Sequence, residues 1–192
     1  MGHGGLGYGI PDGRGVYMLR WGEIKQVVDE MSPFVVSGQL QKVRQPDGTT
    51  LTLTIRVPGR TTHLVLSATP GVTRIGQADG SGPTLPEPTG ICTWVRSAGG
   101  GRSITRLELV ENDRIIHVGL AGGVLVVELT GPMANLYGID DASRLVVAAR
   151  RGALRAGIAS AAQPGRHRAR RRADVRADPP RHAAPFDAQR AL

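Results

Sequence analysis

Between Ser103 and Asp140 three apolar, strand-like segments follow one another with a short polar break after each, and this rhythm commits the chain to a mainly β body. Ser103–Val110 reads SITRLELV, Arg114–Leu120 reads RIIHVGL and Val124–Thr130 reads VLVVELT, the signature of a meander. The first break, Glu111-Asn112-Asp113, runs directly into Arg114, so an acid and a base stand side by side where the chain reverses. Turns on a rigid sheet are where functional groups are displayed.

Upstream, Trp21 to Val36 predicts the one strongly amphipathic helix. Ile24, Val27, Val28, Met31 and Val35 fall on one face, with Glu23, Lys25, Asp29 and Glu30 on the other. Ser32-Pro33 is expected to disturb its last turn, because proline lacks the amide donor, and Ser37-Gly38 to end it. Gln39–Arg44 reads as a strand anchored by Leu40 and Val43, followed by the turn signal Gln45-Pro46-Asp47-Gly48. Leu51–Val57 alternates apolar with polar before Pro58-Gly59 reverses the chain into His63–Ser67, a hairpin expected to be half-exposed on one side.

Thr69 to Gly90 is a Pro- and Gly-rich loop broken by a short strand candidate at Val72–Ile75. Ile91–Arg96 reads as a short helix buried at Trp94. Gly99-Gly100-Gly101 is expected to be a mobile connection, since the Lys-Ser/Thr that a phosphate-cradling loop needs is missing. Ala134–Ile139 and Arg144–Ala149 add strands around Asp140-Asp141. The expected total is about eight strands and one or two helices, an α+β fold that is mainly β.

Charge separates this body from what flanks it. The net charge is +8, but residues 151–192 carry ten Arg against Asp174, Asp178 and Asp187, which leaves fourteen basic and thirteen acidic side chains over residues 1–150. The body is nearly neutral. Cys92 is the single cysteine, so no intrachain disulfide can form. No stretch approaches the roughly 18 to 20 apolar residues of a membrane span, and the N-terminus lacks the order of a signal peptide, so a cytoplasmic location away from membranes is expected.

Three segments are therefore expected: a Gly-rich leader over 1–16, a folded domain over 17–150 and an Arg/Ala/Pro-rich disordered tail over 151–192. The leader reads as flexible, or as a misannotated start with Met18 as the initiator. Its Gly2-x-Gly4-x-x-Gly7 is no dinucleotide fingerprint, because no strand delivers the glycines to a helix. For the tail two readings stand: a solvated basic segment with non-specific, salt-dependent affinity for polyanions, or a GC-rich gene translated out of frame.

No catalytic set emerges. His3, His63, His117, His167 and His182 are scattered without metal-ligand spacing, and Cys92 in its apolar context reads as a buried, inert thiol. Glu108 and Glu128 are expected on exposed faces. No G-x-S-x-G or S-x-x-K occurs. The expectation is a chain that is not itself an enzyme and needs neither metal nor cofactor.

Several segments resemble the NFACT family. Val36 to Pro46, VSGQLQKVRQP, is similar to that family's GGRIxKIxQP, and Leu66 to Pro70 with Arg74-Ile75 to its LSAHPxxxRIH. Cys92 and Arg96 match FCMLLRKHL, Asp113-Arg114-Ile115 falls on LDRI, and Val127-Glu128-Leu129 with Gly131 and Asn135 corresponds to VELMGRHSNI. Five ordered matches cover about Tyr17 to Arg150 at family spacing.

The resemblance implies a β-sandwich with flanking helices, similar to the N-terminal domain of formamidopyrimidine DNA glycosylases. A glycosylase itself is not implied, since that chemistry uses an N-terminal proline amine followed by Glu, and this sequence opens Met1-Gly2. It also implies a role in ribosome-associated quality control: binding the large ribosomal subunit that carries stalled peptidyl-tRNA, and recruiting tRNA so that the nascent chain is extended with alanine. RNA contact is implied for Asp113 and Arg114, with Arg96 next. The family continues into helix-hairpin-helix, coiled-coil and C-terminal RNA-binding domains, so the expectation is a truncated member for which tailing would need those missing parts. The second reading is a protein-binding sandwich under the family's older fibronectin-binding label, with no RNA role.

Overall fold

The computed structural model describes residues 19–151. The leader over 1–16, Met18 and all of the tail after Arg151 lie outside the described residues.

Helix α1, Trp21–Val35, leads into four strands: β1 Gln39–Asp47, β2 Thr50–Val57, β3 Arg60–Ser67 and β4 Arg74–Ala78. After an irregular stretch come helix α2, Gly90–Gly99, and five more strands: β5 Arg106–Leu109, β6 Ile115–Leu120, β7 Gly123–Glu128, β8 Asn135–Ile139 and β9 Leu145–Ala148. The strands form two antiparallel sheets, each a meander in sequence order, β1-β2-β3-β4 and β5-β6-β7-β8-β9. The expected mainly β, α+β class holds. The three-strand run around Ser103 to Asp140 proves to be β5, β6 and β7 of a five-stranded sheet, with β5 at its edge.

Both helices touch strands of both sheets, α1 packing on β5 and β4 and α2 on β1, β8 and β9. A single hydrophobic cluster draws on all these elements: Ile24 and Val28 from α1, Leu53 and Leu64 from the first sheet, Ile116 and Leu125 from the second, Val95 from α2. The helical spacing in α1 does what it predicts, burying Ile24, Val28, Met31 and Val35. Each such side chain contributes roughly 1.5–3 kcal/mol of burial, an upper figure because unfolded chains are partly compact.

Pro33 does not stop α1. Ser32 Oγ donates to the Val28 carbonyl at 2.8 Å and to Leu107 at 3.3 Å, linking this last turn to β5, and the Val36 amide still reaches Ser32. At the other end of α1, Glu23 accepts the Arg20 amide at 2.7 Å, as in a capping box.

The strand at Val72–Ile75 shifts to β4, with Val72 68% exposed ahead of it. The glycine run after α2 is a built junction and not a mobile connection. Gly101 sits at φ 72° and sends its amide to Leu40, while a methyl on Gly99 would press against Leu40 and Leu120. Glycine is needed here for close packing and a left-handed backbone. At the far end of the body, Asn135 receives the Arg150 amide at 2.9 Å and donates to its carbonyl at 3.1 Å, so the described chain finishes pinned to β8.

Candidate nucleic-acid interface

The turn joining β5 to β6 is short and stiff. Val110 and Ile115 close it with an amide-to-carbonyl bond of 2.8 Å, and the Asp113 amide returns to Val110 at 3.2 Å. Asn112 adopts φ 58°, a region asparagine tolerates better than most residues. Asp113 Oδ1 accepts the Arg114 amide at 2.7 Å, so the carboxylate folds onto its own turn. The Arg114 carbonyl accepts from Leu129 at 2.8 Å, fastening the pair to the end of β7. Trp21 Nε1 donates to the Val110 carbonyl at 3.1 Å, fastening the turn to α1.

The backbone of the pair is thus fixed from two directions, while both side chains are partly exposed. Among the described residues no hydrogen bond or ion pair engages the Arg114 guanidinium. A positioned guanidinium offers a planar fork of donors that fits phosphate oxygens bidentately and stacks on a base. The neighbouring carboxylate can accept from a ribose hydroxyl.

Arg96 is deployed differently. From α2 its Nε and Nη2 both donate to the Val43 carbonyl, at 3.3 and 2.9 Å. Because β1 is an edge strand, that carbonyl has no strand partner on its outer side, and Arg96 covers it. The structure therefore makes Arg96 a clamp between α2 and β1 and does not join it to the Asp113–Arg114 turn. Gln45 completes the same junction: buried, it receives the Thr89 amide at 2.7 Å and donates to Thr89 Oγ1 at 2.8 Å, just ahead of α2.

Cys92 is buried, and its surroundings push the thiol up, with the nearby Arg96 charge pulling less strongly the other way. That is the inert thiol expected. Glu108 is exposed as expected, its carboxylate 3.6 Å from Arg106. Glu128 is not: it is 0% exposed, accepting from Thr130 Oγ1 at 2.8 Å and from the Tyr137 hydroxyl at 3.1 Å. Burial first, then the Glu128 charge, raises the Tyr137 phenol. The alternation in VLVVELT marks the face of Glu128 correctly, but β7 is central in its sheet and buried on both faces.

Among the described residues no group of three His, Cys, Asp or Glu stands close enough to hold a metal ion, and no helix is long and apolar enough to cross a membrane. One polar grouping escaped the sequence reading: Lys42, Arg56 and His63 meet on the outer face of the first sheet.

Residues 23–153 match the family described as NFACT N-terminal and middle domains. The Rqc2 homolog RqcH of Streptococcus pneumoniae, in serotype 2 strain D39 and in strain R6, is 27% identical over 133 residues. That stretch is 65% of this chain but 24% of the relative, so the chain spans about a quarter of the length of the curated proteins it matches. Among solved structures, the N-terminal domain of the fibronectin-binding protein PavA from Streptococcus pneumoniae matches with a TM-score of 0.64 and 25% identity, over 71% of this chain and 55% of that one. The N-terminal part of the fibronectin/fibrinogen-binding protein from Streptococcus suis gives 0.62 and 21%, over 68% and 53%, a likeness of fold alone.

Proposed function

Since the chain belongs to the NFACT family, matching its N-terminal and middle domains over residues 23–153, we propose that its body is the RNA- and ribosome-contacting domain of a ribosome-associated quality-control factor. In this reading it engages large ribosomal subunits that carry stalled peptidyl-tRNA in the cytoplasm, and helps to recruit tRNA for C-terminal alanine tailing. The body contributes binding, with no catalytic residue of its own. A likeness to the N-terminal domain of formamidopyrimidine DNA glycosylases is part of the same proposal and concerns architecture only.

The observation that carries the reading is the Arg114 guanidinium: it is partly exposed, engaged by no described neighbour and mounted on a turn whose backbone is held by Trp21 and Leu129. A binding group presented on a fixed backbone loses less entropy on contact than one on a loose loop. The test is co-sedimentation of the protein with isolated large subunits, with and without stalled peptidyl-tRNA. Wild type should pellet with the subunits, more so when peptidyl-tRNA is present. Arg114→Ala removes a charge-assisted contact worth about 1.5–3 kcal/mol, a loss of roughly ten- to a hundredfold in affinity. Equal pelleting of the two proteins would end this reading.

A second reading has one specific support, the fibronectin-binding name of the PavA N-terminal domain. It makes the body a protein-binding sandwich without an RNA role. Binding to immobilised fibronectin, unaffected by Arg114→Ala and unmatched by any binding to subunits, would favour it.

A further inference from the structure

A depression of about 610 Å³ opens on the outer face of the first sheet, remote in the topology from the β5–β6 turn. The strand register assembles it. Lys42 on β1 pairs with Thr54 on β2, and Thr54 pairs with His63 on β3, so one row across three strands sets a lysine, a hydroxyl and an imidazole side by side. The next row brings Arg56 opposite Thr61. Ser81, from the irregular stretch after β4, closes one side.

Three features make this a formed site and not a scatter of surface polars. A register shift between Leu40 and Lys42 marks a bulge at Gln41, and both Gln41 and Lys42 are exposed where strict alternation would expose only one of them. Bulges that re-aim side chains in this way recur at functional sites. The basic groups are also oriented by neighbours: Arg56 Nη1 donates to Thr61 Oγ1 at 3.2 Å, and Thr54 Oγ1 lies 3.2 Å from His63 Nδ1, which leaves His63 Nε2 for a ligand. Finally, no carboxylate lines the depression, and among the described residues neither Lys42 nor Arg56 forms an ion pair.

We propose that this depression binds a phosphate ester, its oxygens held by Lys42, Arg56 and His63, the last oriented by Thr54, and by the hydroxyl of Ser81. Lysine supplies a point charge, arginine a fork and the imidazole a directional donor, a set that suits a tetrahedral anion with several acceptor oxygens. The depression is shallow and open to solvent, with room for a phosphate and an attached sugar. The same chemistry is offered by the backbone of a polynucleotide and by a small phosphorylated molecule. The site does not depend on the Asp113–Arg114 reading.

The test is titration of the isotopically labelled full chain, followed through the backbone amides of Thr54, Arg56, His63 and Ser81, with inorganic phosphate first and then with a short single-stranded RNA. Saturable phosphate shifts confined to these amides are expected, weakened at least tenfold in a Lys42→Ala, Arg56→Ala double variant and unchanged in Arg114→Ala. If RNA moves the same amides and competes with phosphate, the bound ester belongs to a polynucleotide backbone. If phosphate moves them and RNA does not, it belongs to a small phosphorylated molecule. No saturable shift in the wild type, or equal shifts in the double variant, would overturn the site, whatever happens to ribosome binding. Both substituted side chains are exposed, and matching melting curves for the wild type and the double variant check that the fold is kept.

Discussion

Replacing Arg96 tests whether this arginine holds the fold together or contacts RNA. Its guanidinium places two donors on the Val43 carbonyl, at 3.3 and 2.9 Å, on the open edge of β1. Hydrogen bonds from a charged group contribute about 1.5–3 kcal/mol each when enclosed. Arg96 is exposed and its two bonds are only part-buried, so water reclaims part of that when the side chain is removed, and about 1–2 kcal/mol is the expected cost of Arg96→Ala. With an unfolding entropy of about 2.1 cal/mol/K per residue over a body of roughly 130 residues, Tm should fall by about 4–7 °C. Arg96→Lys, which retains one point-like donor, should fall between. The assay is thermal melting by circular dichroism on the full chain, run beside co-sedimentation with large subunits. Arg114→Ala is the control, with an unchanged Tm and lost binding. An unchanged Tm for Arg96→Ala together with lost binding would refute the clamp and make Arg96 an RNA contact.

Other expectations can be checked on the same protein. Limited proteolysis should leave a resistant core within residues 17–150, since Arg150 is pinned to Asn135; a core that requires residues beyond Ala161 would contradict this. Gly123→Ala should give little soluble protein, because φ is 137° there and a methyl would overlap the Ile139 carbonyl; normal yield and Tm would refute that steric reading of Gly123 against the end of β8. Tyr137→Phe removes one donor from buried Glu128 and should cost about 1–2 kcal/mol in urea unfolding. Asp140 is held below its ordinary value of 3.8 by the Arg144 amide and guanidinium, so its contribution is present above that pH and lost as the carboxyl protonates below it. Asp140→Asn should therefore destabilise the protein near neutral pH and shrink the stability lost below about pH 3.8; parallel acid-unfolding curves would argue against it.

The elements legible in the sequence are those whose pattern and burial agree. α1 announces itself because its apolar residues recur at helical spacing and face a core, and the β6–β7 hairpin because β-branched runs flank a short break. Glu128 differs from its expected exposure because period-two alternation assigns a face without saying whether that face meets water. Gly99 to Gly101 looked slack because glycine permits both mobility and close packing, and only Leu40 and Leu120 pressing on Gly99 decide between them. Arg96 sat at a family position, yet its partner is a main-chain carbonyl 53 residues earlier, which no local motif encodes. The depression holding Lys42, Arg56 and His63 draws single polar residues from three strands, and its available signal is faint: two consecutive polar positions, Gln41-Lys42, between the apolar anchors Leu40 and Val43.

The indole of Trp21 reaches the very turn that presents Arg114, whereas the other tryptophan, Trp94, lies against Gly138, partly buried at the side of the core. The molecule thus carries a built-in optical probe. A ligand settling on Asp113 and Arg114 should alter the emission of Trp21 and leave that of Trp94 alone, and a Trp94→Phe variant would let fluorescence follow occupancy of that turn in real time without any attached dye.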